Sequence, residues 1–245
     1  MLYLLRMRRF FVKSENITEN EIVINEKEFE HLHNVLRLRE NDKLVCFSGD
    51  GLEYFCSIKQ ILPSKAICQI EKIEKSKTAT GKKITLFQGA LKSDKFEFVI
   101  QKMSELGLNK VVPFESAFSV AKVKSEKIDR YQKIATEASK QCQRADVLEV
   151  GKVLTLKQLA QEIKNYDLVL FAYEKEDENS LANIKVKDFE NIALIVGSEG
   201  GFSEKEAQTL IQAGAKSISL GKRILRAETA PITLASIVMF LLGEI

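Results

Sequence analysis

Two short segments late in the chain carry more glycine and charge than a core requires. The first is Val196-Gly197-Ser198-Glu199-Gly200-Gly201-Phe202-Ser203. Its glycines permit positive φ and let a ligand approach backbone amides, and the helix expected to start after it adds partial positive charge. No Gly-Lys-Ser/Thr follows, so it is not a P-loop, and its spacing is not the dinucleotide-binding Gly-x-Gly-x-x-Gly pattern. Taken alone it is equally an ordinary tight strand-to-helix turn. The second is Leu220-Gly221-Lys222-Arg223-Ile224-Leu225-Arg226-Ala227-Glu228-Thr229-Ala230. Ile224 and Leu225 lie between charged residues of a connecting loop, where apolar side chains need cover that a flat heteroaromatic ligand such as adenine would give. The plainer alternative is a solvated connection with an Arg–Glu pair of little energetic value.

A third cluster, Arg130, Glu137, Gln141 and Arg144, recurs at spacings of 7, 4 and 3, which on one long helix makes a single stripe. That stripe reads as a solvated face or as a binding face. Arg6, Arg8 and Arg9, with Arg37 and Arg39, offer contacts to phosphates near the N-terminus. Residues 1–72 are nevertheless neutral, with eleven basic and eleven acidic residues. Cys46, Cys56, Cys68 and Cys142 form no Cys-x-x-Cys pair, and His31 and His33 do not share a helical face, so no metal site is expected. Unpaired cysteines in apolar stretches suit a reducing compartment.

These residues need elements to hold them. The spacing predicts a β-rich module over residues 1–72: a strand at Arg9–Val12, a capping box from Asn25 to Glu28, and a helical face of Phe29, Leu32, Val35 and Leu36. A hairpin follows, Lys43–Phe47 with Leu52–Ile58 around Ser48-Gly49-Asp50-Gly51, and then a strand at Ala66–Ile73. A polar, Lys-rich stretch with Thr78-Ala79-Thr80-Gly81 at its centre marks a linker over 73–83. From residue 84 strands and helices alternate: strands at 84–89, 110–114, 167–173, 192–197 and 216–220, and helices at 94–106, about 126–144, after a Ser203/Glu206 cap, and at about 229–242. That pattern predicts an α/β domain over 84–245 with a mostly parallel sheet, helices on both faces, and ligands at the carboxyl ends of the strands.

With 245 residues, 45% of them hydrophobic, the chain can bury a full core, and disorder is excluded. A net charge of +3 is too small to identify a nucleic-acid binder on its own. The opening Met1–Arg6 is too short for a signal-peptide core, and Met7 is an alternative start. The longest apolar run, Ile237–Leu242, is far below a membrane span, so a cytoplasmic protein without membrane association is expected.

The two late loops together resemble the RsmE-type small-subunit (16S) ribosomal RNA uridine-N3 methyltransferases of the SPOUT superfamily. Further matches are Arg8–Val12, His31–Arg37, Lys92–Glu97, Ile100–Gly107 and Glu137–Arg144; the 220–230 stretch is the most specific. The resemblance implies a PUA-like RNA-binding domain followed by a trefoil-knotted domain, S-adenosyl-L-methionine as cofactor, small-subunit ribosomal RNA as substrate, and a homodimer. Where the family usually has Pro, Gly, Arg and Pro, this chain has Ser198, Asn41, Phe118 and Leu148; the Phe118 change is the one expected to remove an RNA contact. Carried onto this sequence, the cofactor residues are Gly197, Glu199, Gly200, Gly201, Leu220, Gly221, Ile224, Leu225 and Arg226, and the RNA residues are Arg9, Arg37 and Arg144. Arg226 suits stabilisation of a uracil anion because its donors are fixed and it is a poor base; Glu228 or water is the candidate proton acceptor. Two rivals stay open: a SPOUT enzyme of other specificity, such as a ribose 2′-O-methyltransferase, and a non-enzymatic ribosome-assembly factor.

Overall fold

The computed structural model describes residues 7–78, 80–179, 181 and 184–245. The opening Met1–Arg6 segment, with Arg6, and Ala79 of the linker lie outside the described residues. The chain divides into two compact units, one formed by the described part of residues 1–79 with 139–147, the other by 80–138 with 148–245.

The first unit is a five-stranded sheet made of β1 (Arg8–Phe11), β2 (Glu21–Asn25), β3 (Lys43–Phe47), β4 (Leu52–Leu62) and β5 (Lys65–Lys75), in the order β1-β3-β4-β5-β2. Only β1 and β3 pair in parallel. Alternation sends Tyr54, Cys56 and Ile58 of β4 into the core with Phe10, Ile22, Ile24 and Leu44. Two register shifts in the β4–β5 ladder, at Phe55/Cys56 and Ile58/Gln60, bend these long strands over that core. Cys46, Cys56 and Cys68 are free, buried thiols. Burial pushes the Cys68 thiol up to about 12 and raises that of Cys46 as well, which makes these two side chains packing residues rather than nucleophiles.

Two local expectations in this unit are corrected. Asn25 precedes the short helix α1 (Glu26–Glu30), but its side chain makes no cap and Glu26 takes a φ of 51°. The helix then widens into a π-turn over His31–Val35, which rotates Val35 off the apolar face and leaves it 69% exposed, while Phe29 and Leu32 stay buried.

The second unit contains β6 (Lys83–Gly89), α2 (Ser93–Glu105), β7 (Lys110–Glu115), α3 (Ile128–Gln141, whose last residues group with the first unit), β8 (Glu149–Val150), β9 (Leu154–Thr155), α4 (Leu156–Glu162), β10 (Leu168–Ala172), β11 (Asn191–Val196), α5 (Glu204–Gln212), β12 (Lys216–Ile218) and α6 (Thr229–Leu242). The sheet order is β12-β10-β11-β6-β7-β8, with β9 also on β7, and every pairing is parallel. Both faces are covered, which explains the continuous apolar runs. Ile192, Leu194 and Val196 of β11 face one core with α2 and α6, through Phe96, Val99, Leu234 and Val238. Ala193 and Ile195 face the other with α4 and α5, through Leu159, Ala207 and Leu210. Because the strands are parallel, all their carboxyl ends emerge on one edge, and β12, β10 and β11 are neighbours there.

The expected helix to Arg144 ends at Gln141; Gln143 adopts a φ of 65°, so Arg144 leaves the stripe of Arg130, Glu137 and Gln141. Among the described residues no helix is long and apolar enough to cross a membrane.

Candidate active site

Three loops leave the carboxyl ends of β10, β11 and β12 and enclose a cavity of about 490 Å³. Ala172, Tyr173, Glu174 and Glu176 contribute from β10, residues 196–201 from β11, and 219–228 from β12, with Lys95 of α2 and Ala230 of α6 closing the lining. This is where a parallel sheet places a ligand. The volume falls in the range of small-molecule sites.

The β11 loop is held from beneath. Phe202, 3% exposed, is set edge-on to Phe171 with ring centres 4.8 Å apart and stacks on Phe114 at 5.9 Å. Gln88, fully buried at the end of β6, donates through Nε2 to the Gly197 carbonyl at 3.0 Å. Close approach explains the glycines: a Cβ on Gly89 would fall on the Ser198 amide nitrogen, and one on Gly200 would sit 2.6 Å from the Phe118 carbonyl. Gly201 turns with a φ of 67°, donating its N–H to the Ser198 carbonyl at 3.0 Å. The Ser203 cap forms as expected: its hydroxyl accepts from the Glu206 amide, and the Glu206 carboxylate accepts from the Ser203 N–H at 2.9 Å.

The β12 loop turns at Gly221, with a φ of 106°, and feeds α6, whose first turn is closed by the Thr229 and Ala230 amides donating to the Arg226 carbonyl. Arg226 is exposed and lines the cavity; Leu220 and Leu225 are half-buried, and Ile224 is 89% exposed. Glu228 lies 3.2 Å from the Lys95 ammonium, which also sits 3.4 Å from Glu199. Burial raises the Glu228 carboxyl, but its backbone hydrogen bond, Lys95 and Arg226 outweigh that and hold it below the ordinary carboxylate range. The pairing with Glu228 raises the Lys95 ammonium in turn. From the β10 loop, Glu176 accepts from the Ser217 hydroxyl and from the amides of Glu178 and Asn179, and its carboxyl is held down to about 2, the Ser217 bond contributing most.

All nine residues expected to hold a cofactor therefore line one cavity, together with Glu228. Lys95, Glu174 and Glu176 were not expected there. Lys95 belongs to the Lys92–Glu97 segment already singled out, which was its only trace in the sequence. Among the described residues no cluster of three or more His, Cys, Asp or Glu could hold a metal.

The three arginines expected to meet RNA all lie in the first unit. Arg9 is half-buried, paired with Glu53 at 3.1 Å and stacked over the Phe47 ring. Arg37 is exposed, with a φ of 52°. Arg144 is 2% exposed and donates to both Asp146 oxygens, and Asp146 bridges to the Gly49–Asp50 turn.

Residues 78–239 match an RNA methyltransferase domain family, and residues 24–71 match an RNA methyltransferase PUA domain. The ribosomal RNA small subunit methyltransferase E of Bacillus subtilis is 32% identical over 96% of this chain and 96% of its own length. That of Mesomycoplasma hyopneumoniae is 31% identical over 93% of this chain and 97% of its own. The crystal structure of the corresponding Neisseria gonorrhoeae protein, bound to S-adenosyl methionine, superimposes with a TM-score of 0.86 at 27% identity, covering 96% of this chain and 98% of that one. With both domains matched and the alignment running through nearly the whole chain, this protein belongs to the ribosomal RNA small subunit methyltransferase E family.

Proposed function

We propose that this chain transfers a methyl group from S-adenosylmethionine to N3 of one uridine in small-subunit ribosomal RNA. The observation that carries the reading is the meeting of the β10, β11 and β12 loops in one cavity that contains every residue the sequence nominated for the cofactor. The lining fits that cofactor: backbone at Gly197–Gly201 and Gly221 for the adenosine, half-buried Leu220 and Leu225 for the ring, and the carboxylates of Glu174, Glu176 and Glu199 for hydroxyls and a cationic sulfur. Bound there, S-adenosylmethionine supplies an electrophilic methyl group on positively charged sulfur.

The remaining work belongs to the chain. Uracil N3 is a poor nucleophile until its proton leaves, so the site must favour the anion. Arg226, exposed on the cavity wall, offers rigid donors to a uracil carbonyl oxygen as negative charge grows there. Glu228 is ionised at neutral pH and is therefore available as an acceptor, although its lowered pKa makes it a weak base; water is the alternative acceptor. Lys95 holds Glu228 and Glu199 in place.

Residues 1–72 are assigned to RNA binding, 73–83 to a linker, and 84–245 to the catalytic domain, whose late loops form the knotted region in the proposed fold. Arg37 is the available phosphate contact, Arg9 reaches RNA from its Glu53 pair, and Arg144 serves by fixing the turn at Asp146. The working form is a cytoplasmic homodimer.

The test is transfer of labelled methyl from S-adenosylmethionine to unmodified small subunits, followed by mass identification of the nucleoside. N3-methyluridine is the expected product. Label on ribose or another base discards the substrate assignment, and absence of both transfer and cofactor binding favours the assembly-factor role.

A further inference from the structure

The loop after β7 places an aromatic ring in solvent beside the cofactor loop. Phe118 is 50% exposed and Val120 83% exposed. Beside the cofactor loop, the exposed ring is a flat apolar surface that a second flat group can cover. The turn is rigid: the Ser116 amide donates to the Ser119 hydroxyl at 3.0 Å, and the Ser119 amide donates back to the Ser116 carbonyl at 3.1 Å. It is also fixed to the site. The Ala117 amide donates to Glu206 at 2.7 Å, the same carboxylate that caps α5, and the Phe118 backbone lies against Gly200 of the cavity lining. Exposed Lys122 and Lys124 follow within the same loop, Lys124 lying 3.7 Å from the equally exposed Glu126, a solvent-open pair that a phosphate can displace.

We infer that Phe118 is a stacking platform for an unpaired nucleobase of the substrate RNA, positioned beside the cofactor cavity, with Lys122 and Lys124 meeting the adjoining phosphates. A nucleobase is the occupant that matches an exposed flat ring on a loop that also carries exposed lysines, because stacking needs a π-face and no particular hydrogen bonds. This inference rests on the RNA-methyltransferase reading of the same site.

The experiment compares the full-length wild type with Phe118→Ala, Phe118→Leu and Phe118→Trp. Three quantities are read: affinity for a labelled single-stranded small-subunit RNA fragment, KM and kcat for methyl transfer to unmodified small subunits, and affinity for S-adenosylmethionine. Phe118→Ala is expected to weaken RNA binding and raise KM by about tenfold, the order expected for one lost stacked base, with the loss in KM rather than kcat. Phe118→Trp restores binding and Phe118→Leu does not. The inference is overturned if Leu serves as well as Phe, if RNA affinity is unchanged in Ala, or if Ala instead shifts the sedimentation of the protein, since a second copy would then be what covers the ring. Failure of the wild type to methylate any small-subunit RNA defeats the functional reading, while direct RNA binding still decides the role of Phe118.

Discussion

Lys95 stands between Glu199 and Glu228, and removing its charge changes what both carboxylates can do. In Lys95→Met the Glu228 carboxyl loses one of the groups that lower it. A group needed in its ionised form fails as pH falls through its pKa, so the acid limb of the pH–rate profile is expected to move to higher pH than in the wild type. Profiles that superimpose would show that Glu228 does not titrate in the rate-limiting step. Arg226 is tested by Arg226→Ala and Arg226→Lys. Loss of a donor to a developing anion costs on the order of 10²–10³ in kcat, and Lys should recover only part because it lacks the rigid fork. Near-normal turnover in both variants removes Arg226 from the chemistry. At this scale the two late loops were legible because glycine and charge are conspicuous where a core has no use for them. Lys95 and Glu176 were not, since a lysine on an amphipathic helix and a glutamate in an acidic loop look like any solvated residue until the sheet brings them to one edge.

Elements set how firmly the loops are held. The end of β6 runs against the β11 loop so closely that Gly89→Ala drives a methyl into the Ser198 backbone, which cannot yield as a flexible side chain would. Overpacking of this kind costs about 1–3 kcal/mol, and cofactor affinity should fall more than tenfold because the loop itself must move. Calorimetric binding that matches the wild type would mean the loop tolerates displacement. The β10 loop is tied to β12 through Ser217 and Glu176. The Glu176 carboxyl is depressed from 4.5 to about 2, so its contribution to stability is present above the unfolded value and lost as pH falls from about 4.5 towards 2. The stability deficit of Ser217→Ala should accordingly be full above pH 5 and shrink on acidification through that window; a deficit independent of pH would contradict the assignment.

The buried strands could be read directly, as unbroken apolar runs admit few alternatives once helices intervene. The pair Glu149–Val150 and Leu154–Thr155 escaped notice because two residues carry no period. The π-turn at His31–Val35 escaped for a different reason: a widened helix keeps its composition while changing which residues share a face. The early end of α3 at Gln141 depends on a positive φ at Gln143, a residue type that gives no warning of it.

For the molecule as a whole, charge is nearly balanced, with 37 basic against 34 acidic residues. RNA binding must then come from a few placed cations. Replacing Arg37 by Gln should weaken RNA binding and reduce the slope of log K against log salt by about 0.7–0.9, the value of one phosphate contact. Affinity for S-adenosylmethionine should not change. An unaltered salt slope would remove Arg37 from the interface. Composition identified a folded protein and nothing more; the two parts came from the change of pattern across the Lys-rich stretch, and their roles from the resemblance and the family matches, because neutral residues 1–72 carry no electrostatic mark of RNA binding.

Glu206 uses one oxygen to hold Ser203 at the start of α5 and the other to hold the Ala117 amide. That shared anchor separates what can drift from what cannot. Changes at Phe118 or Val120 alter what the turn offers to solvent and leave its footing, the Ser116–Ser119 bonds and the Glu206 anchor, intact. A change at position 206 would release the turn and the helix start together. If Phe118 stacks on substrate as inferred, single substitutions at Phe118 or Val120 revise what is read there, whereas replacing Glu206 disturbs two structures at once.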